Sequence, residues 1–339
     1  MLEIFCELFP NAPIYTLLYD EDATGHVFRG CEIHTSFLQR LPLIKKFHRL
    51  LPFLMPIAVE QFDLSYYDVV ISNSASFAKG VITKPRTRHI SYCLTPTRYL
   101  WDDSHRYLAE ASYPWLFKKL IPLFLNYLRI WDFEASLRVD QFIAISNFVQ
   151  KRIKKYYSRD AEVIYPALDC SKYQIGDVIS DYFLMVGRMV PYKKFDLAVK
   201  VFNATGQKLK IVGDGPEFKH LRKIAKSNIE FLGLVSDFDM PKLYSHSKAV
   251  IFPQEEDFGL VPLEAMASGR PVIAYRGGGA METVIDGENG IFFDKQTEID
   301  LVQAIGRFEY TYWDAQKIRA HALKFDKEVF KQEFSELLH

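Results

Sequence analysis

Residues 252–275 read FPQEEDFGLVPLEAMASGRPVIAY, and the order of residue types in this stretch decides the fold. An apolar run, Ala249–Phe252, stops at Pro253. An acidic loop follows, Gly259 ends it, and Val261–Ala267 reads as a buried helix before a second apolar run, Val272–Tyr275. A strand, a loop, a helix and a strand in that order form a β-α-β crossover, the unit from which parallel sheets are built.

The same alternation extends in both directions from this segment. Towards the C-terminus comes the strand candidate Ile291–Phe293, and towards the N-terminus come Ile229–Phe231, Leu209–Val212 and Tyr182–Val186. Helical patterns at Phe195–Asn203, Glu217–Lys226 and Glu298–Arg307 separate them. The first half repeats the plan less cleanly, with strand candidates at Ile14–Tyr19, Val69–Ser72, His89–Cys93, Phe142–Ile145 and Val163–Tyr165. The reading is an α/β chain with mostly parallel sheets. With 339 residues and roughly 100–200 residues per domain, two domains are expected. The polar stretch Asp169–Asp181 marks the boundary, giving domains 1–172 and 173–324.

Composition narrows the function classes. The 42 Lys and Arg balance the 42 Asp and Glu, so the chain lacks the basic excess of a general nucleic-acid binder. A hydrophobic share of 49% argues against disorder. Cys6, Cys31, Cys93 and Cys170 form neither a CxxC pair nor a zinc-finger spacing, which suits a reduced, cytoplasmic chain. The opening MLEIFCELFPNAP lacks a basic leader, so no signal peptide is expected. The most apolar stretch, Tyr113–Trp131, is interrupted by Lys118, Lys119, Pro122, Asn126 and Arg129, and no membrane span is expected.

Charged residues and glycines gather where the second-half strands end. Gly187-Arg188 follows the first of these strands, with Lys193 close behind. Ligands of open parallel sheets bind beyond the carboxyl ends of the strands, where an Arg fork and a Lys point charge suit phosphate. Gly213-Asp214-Gly215-Pro216 permits a tight turn into a helix, but GxGxxG is absent and a nicotinamide enzyme is poorly supported. Glu256 and Glu264 frame the start of the helix after Gly259, whose free amides suit an anion. On a continuous helix they would stand about 12 Å apart, too far for a glycosidase pair at roughly 5–9.5 Å, so contacts to separate parts of one polar ligand are expected. Arg276-Gly277-Gly278-Gly279 reads as backbone packed close to a ligand or as a flexible turn. Asp237-Phe238-Asp239 imitates a metal-binding DxD but precedes a helix, where capping is expected. HExxH and GxSxG are absent.

GRMVPYKKFD, VGDGPE, NIEFLG, FPQEEDFGLVPLEAMASGRPVIAY and GGGAMETV, in this order and spacing, resemble the retaining GT-B glycosyltransferases of the glycogen-synthase-like class, the glycosyl transferases group 1. The resemblance is closest to bacterial mannosyltransferases of O-antigen and related surface polysaccharides. ELFPNAPIYTLLYD, SYCLTPTRYLWD and FIAISNFVQKRI extend it over nearly the whole chain. It implies two Rossmann-like domains facing across a cleft, with the final helix, about 325–339, joining the first, acceptor-side domain. The second would hold the donor, a GDP-hexose such as GDP-mannose. By position, Arg188, Lys193 and Glu256 take the catalytic roles. The donor would lie against Gly187, Gly213, Gly233, Leu234, Val235, Phe258, Gly259, Leu260 and Val261. Glu256 would hold the sugar and Glu264 the ribose. The SYCLTPTRYLWD segment implies acceptor-side roles for Thr95, Arg98, Trp101 and Asp102. A lipid-linked oligosaccharide is the implied acceptor, and neither a cofactor nor a metal is expected.

Two departures from the pattern generate a second expectation. The chain opens in what resembles the first helix of the N-terminal domain, without its first strand and glycine-rich loop, and Ala75 and Leu94 stand where relatives carry histidine. These departures suit a non-catalytic nucleotide-sugar-binding subunit or a truncated relative. Finally, Arg40–Pro56 carries Arg40, Lys45, Lys46 and Arg49 without an acid among leucines and phenylalanines. With Tyr113–Trp131 it suits adsorption to an anionic membrane, at the inner face of the plasma membrane.

Overall fold

A computed structural model of the chain describes residues 1–42, 51–102, 104 and 115–338, without the side chains of 115–120. Lys45, Lys46, Arg49 and Tyr113 therefore lie outside the described residues, as do the side chains of Lys118 and Lys119. The chain divides into two compact units, Met1–Tyr165 and Pro166–His339.

The first unit opens with helix α1 (Leu2–Leu8) and strands β1 (Ile14–Thr16) and β2 (Ile33–Thr35), which pair in parallel. Helix α2 (Met55–Glu60) follows. Strands β3 (Val69–Ser74), β4 (Arg88–Cys93), β5 (Gln141–Ala144) and β6 (Ala161–Val163) then form a parallel sheet in sequential order. Between β4 and β6 run the long helix α3 (Trp115–Leu137) and helix α4 (Asn147–Tyr157). Ser146 starts α4 by accepting the Val149 amide on its hydroxyl at 3.0 Å, which satisfies one orphan donor of the first turn. No helix of the described residues is long and apolar enough to cross a membrane.

The second unit is a six-stranded parallel sheet in the order β12-β11-β10-β7-β8-β9. Its strands are β7 (Phe183–Val186), β8 (Leu209–Val212), β9 (Ile229–Gly233), β10 (Val250–Phe252), β11 (Val272–Tyr275) and β12 (Gly290–Phe293). The intervening helices are α5 (Phe195–Thr205), α6 (Phe218–Ile224), α7 (Met240–His246), α8 (Leu260–Ala267) and α9 (Ala280–Thr283). Helices α10 (Glu298–Glu309), α11 (Ala315–Ala322) and α12 (Lys327–Leu338) complete the chain. The strands are apolar on consecutive positions because both faces are covered. Phe183, Met185, Leu209 and Ile211 pack with Val199, Phe202, Leu301 and Phe308 in one core. The Phe183 ring meets Phe202 edge-on at 5.3 Å and Phe308 at 5.5 Å, and each such buried ring contributes about 1.5–3 kcal/mol.

The units part at Tyr165/Pro166, seven residues before the boundary read from the sequence, for a reason visible in hydrogen bonds. Leu168 N–H donates to Phe325 O at 2.9 Å, Lys327 N–H to Leu168 O at 2.9 Å, and Cys170 N–H to Asp326 Oδ2 at 3.1 Å. With the Lys327 to Asp169 ion pair at 3.1 Å, they bind the 166–172 segment to the entry of α12. Helix α12 accordingly falls in the second unit, whereas the resemblance joins it to the first.

Candidate functional site

The strand order fixes where a site can lie. The chain enters the second sheet at β7, builds outward to β8 and β9, then returns to the other side of β7 with β10, β11 and β12. Helices on either side of this reversal diverge and leave a crevice at the carboxyl ends of β7 and β10. The segments after these two strands, Gly187–Lys193 and Pro253–Gly259, are the ones the sequence singles out.

At the end of β7 backbone stands on backbone. Gly187 N–H donates to Val212 O at 3.0 Å and Gly213 N–H to Gly233 O at 2.8 Å, tying three adjacent strand ends together. Gly213 has φ +127°, and a Cβ on it would lie 2.0 Å from Gly187 O. Only glycine fits here. The partner that forbids a side chain is the next strand's carbonyl, where the sequence suggested only a tight turn. Lys193 Nζ would stand 3.3 Å from a Cβ on Gly187, so the ammonium sits beside the end of β7. Lys194, which leads into α5, takes a left-handed conformation at φ 57°, unusual for a residue with a side chain.

Lys193 Nζ and Glu256 Oε1 approach to 2.9 Å, with both side chains more than four-fifths buried. The contact closes the crevice between the β7 and β10 loops with a charge pair. Arg188 is exposed and makes no side-chain hydrogen bond or ion pair among the described residues. Arg276, the other arginine of the rim, is neutralised by Asp294 at 2.6 Å and Asp286 at 3.3 Å.

The glycines Gly277 to Gly279 pack against the loop that carries Glu256. A Cβ on Gly278 would lie 2.2 Å from Glu256 O, one on Gly279 would lie 2.3 Å from Phe258 Cα, and Gly279 N–H donates to Glu256 O at 2.9 Å. The turn is thus a backbone buttress for its neighbour. Gly259, with φ +91°, caps α8, whose first amides receive no side-chain cap. The Phe258 side chain is buried, while Leu260 is exposed. Leu234, just past β9, is 83% exposed, and Val235 follows it. Asp239 stands at the cap of α7 without capping it. Its carboxylate accepts the Ser236 hydroxyl at 2.6 Å instead.

Glu264 lies one turn into α8 and accepts a hydrogen bond from the Tyr244 hydroxyl, with the Tyr173 ring edge-on to that of Tyr244 at 6.0 Å. Burial pushes its carboxyl above the usual range and the nearby Asp237 charge adds to this, while the neighbouring tyrosine hydroxyls oppose it. The tyrosines come from α7 and from the segment before β7, and nothing in their local sequence signals the meeting.

In the first unit, Thr95, Arg98, Trp101 and Asp102 follow the carboxyl end of β4. Arg152, buried, donates to Thr95 Oγ1 and to Asp102 Oδ1, the latter at 2.7 Å. Trp101 Nε1 donates to Asp132 Oδ2 at 2.8 Å, and its ring stacks on Tyr156 at 5.1 Å. Arg98 begins the short turn Arg98–Leu100. Asp132, 1% exposed, also accepts Lys79 Nζ at 2.5 Å, Thr97 Oγ1 at 2.8 Å and Tyr157 Oη at 2.8 Å. Thr95, Trp101 and Asp102 are thus engaged by partners within the unit, and Asp132, which the sequence did not single out, is the centre of the network.

Residues 179–324, which hold the whole crevice of the second unit, match the family described as glycosyl transferases group 1. The chain carries a glycosyl transferases group 1 domain. The chain is 32% identical over 177 residues to part of an uncharacterized glycosyltransferase of Methanocaldococcus jannaschii, a match covering 50% of each chain. The alpha-1,3/1,6-mannosyltransferase ALG2 of Saccharomyces cerevisiae is 24% identical over 77% of this chain and 61% of that one. The matched region thus spans about half to three-fifths of these curated relatives. Among solved structures, Anabaena HepE in complex with UDP and glucose superposes with a TM-score of 0.72 at 20% identity, covering 99% of this chain and 94% of that one. The fold is that of the GT-B glycosyltransferases.

Proposed function

We propose that the chain transfers a hexose from a nucleotide sugar, mannose from GDP-mannose, to a lipid-linked oligosaccharide of surface-polysaccharide synthesis, retaining the anomeric configuration. The observation that carries this reading is the Lys193 ammonium held beside Gly187 at the β7/β10 crevice, with the exposed Arg188 next to it in the chain. Cleaving the anomeric C–O bond puts negative charge on the departing diphosphate. Arg188, Lys193 and the uncapped start of α8 meet that charge, and they act most strongly when it has fully developed. Glu256 would orient the sugar hydroxyls while it balances Lys193. A mannosyltransferase among the relatives supports the sugar, and the UDP and glucose held in the HepE complex make uracil nucleotides the necessary comparison.

Calorimetric titration with GDP, UDP, GDP-mannose and UDP-glucose tests the reading. Saturable binding of one nucleotide class, lost in Arg188→Ala, supports it. Failure of a folded protein to bind any of the four refutes it.

We place the enzyme peripherally at the inner face of the plasma membrane. Leu123, Phe124, Tyr127 and Ile130 are exposed on α3, and the rings of Phe53 and Phe124 lie 6.0 Å apart. Co-sedimentation with anionic vesicles at low salt tests this placement, and equal recovery in the supernatant with and without vesicles removes it.

A further inference from the structure

The contact between Lys193 and Glu256 is one of charge without donor alignment. Lys193 Nζ stands 2.9 Å from Glu256 Oε1, yet that oxygen is buried and accepts no hydrogen bond among the described residues. Lys193 pairs with no other carboxylate there, and the Tyr192 ring lies 5.9 Å from its ammonium. A misaligned pair is weaker than a charge-assisted hydrogen bond, so an anion that meets the ammonium with better geometry displaces it readily.

The two partners differ in freedom. Glu256 is held through its backbone, because its carbonyl accepts the Gly279 amide at 2.9 Å and a Cβ on Gly278 would lie 2.2 Å from that oxygen. Lys193 ends the short turn Pro191–Lys193 and reaches the pair on a flexible four-carbon stem. The ammonium is therefore the member that moves, between Glu256 and an anion lying in the crevice. What decides its position is whether Glu256 has other donors. The hydroxyls of a bound sugar supply them, and the carboxylate then releases Lys193. Once the sugar has left, Oε1 has the ammonium to turn back to.

We propose that Glu256 competes with the diphosphate for Lys193, weakening the hold on the nucleoside diphosphate that remains after transfer, so that the ion pair re-forms as this product leaves. The proposal rests on the nucleotide-sugar reading of the crevice. It goes further in setting one charged residue of the site against the binding of its own product. The presence of the sugar and the affinity for the diphosphate are then coupled through Lys193, and the coupling is reciprocal. Removing the carboxylate should strengthen one complex, an effect that neither a purely sugar-holding role nor a purely structural one produces.

The test measures the affinities for GDP, UDP, GDP-mannose and UDP-glucose by calorimetry on the full chain. Glu256→Gln, Glu256→Asp and Glu255→Gln are the variants, and circular dichroism checks that each is folded. Glu255 is exposed and carries the same charge one residue away, so Glu255→Gln reports any general gain from removing a negative charge. In the nucleotide class that the wild type binds, Glu256→Gln is expected to hold the diphosphate roughly three- to tenfold more tightly, between the scales of an exposed and a buried charge pair. It is also expected to release the diphosphate more slowly in stopped-flow displacement, and its preference for the sugar nucleotide over the diphosphate is expected to fall. Glu255→Gln is expected to behave as the wild type. Glu256→Asp keeps the charge on a shorter arm and is expected to give a smaller gain of the same sign, and it decides should Glu256→Gln not fold. A folded Glu256→Gln that binds the diphosphate no more tightly than the wild type, or an equal gain in Glu255→Gln, overturns the proposal while leaving the donor site standing. A folded wild type that binds none of the four removes the donor-site reading and the proposal with it.

Discussion

Removing Asp132 tests how the first unit holds its rim. The carboxylate is 1% exposed and accepts from Lys79, Thr97, Trp101 and Tyr157, while Lys79 itself is 4% exposed. In Asp132→Ala the ammonium keeps the Ser76 carbonyl at 2.9 Å and the rings of Tyr157 at 5.1 Å and Trp131 at 6.0 Å, and three further donors lose their acceptor. Breaking one side of a buried pair costs about 3–5 kcal/mol, because the surviving charge is stranded. The lost hydrogen bonds are already part of that figure and are not added to it. Replacing both partners together, as in Lys79→Met with Asp132→Leu, removes the stranded charge, and the double variant should be more stable than Asp132→Ala by about 1–3 kcal/mol. Urea denaturation followed by tryptophan fluorescence is the assay, since the Trp101 indole donates to Asp132 and reports this region directly. A double variant as unstable as Asp132→Ala, or more so, would falsify the argument that stranded charge dominates.

Arg188 and Lys193 should separate binding from stability. Arg188→Ala should leave the melting temperature unchanged, since the side chain is exposed and unpaired among the described residues, yet cost about 2–4 kcal/mol of transition-state stabilisation in turnover assays. Lys193→Ala should lose nucleotide binding and also about 1–3 kcal/mol of stability, because Glu256 is left without its cation. Gly213→Ala should destabilise by about 1–3 kcal/mol for its positive φ alone. By driving Gly187 away it should also weaken nucleotide affinity, and an unchanged affinity would count against the interlock. His89 is buried against Ser72 at 2.8 Å, and burial pulls its imidazole down to about 4. Its folded value lies below the unfolded one of about 6.5, so its contribution is intact above pH 6.5 and declines as pH falls towards 4, by up to about 3 kcal/mol. Denaturation of His89→Gln at pH 7 and pH 4.5 should show a flatter pH dependence than the wild type.

The second unit was legible because its strands are buried on both faces. Leu209–Val212 and Val272–Tyr275 occupy the ranges that the apolar runs mark, and Ala249–Phe252 overshoots by one residue. The short β2 is invisible in sequence because Ile33-His34-Thr35 makes no apolar run, and it exists through pairing with β1. Within the candidate site, Arg188, Lys193, Glu256 and Glu264 stand out because charged residues at strand ends are unusual in so apolar a setting. The Lys193 to Glu256 contact spans 63 positions and depends on the β7/β10 pairing. Tyr173 and Tyr244 give no signal, since isolated tyrosines fill cores as often as they hold carboxylates.

The glycine turn at residues 277–279 sets the terms on which this scaffold can be varied. Its backbone rests directly on Glu256 and Phe258, with no side chain between to absorb a displacement. A one-residue insertion in either turn would therefore be transmitted to the other and move the carboxylate that pairs with Lys193. Gln254 is buried at 1% exposure, so diversification of this loop is confined to the side chains of Glu255 and Asp257 at constant loop length. A library built on this chain should randomise those two positions and leave every spacing between β10 and α9 untouched.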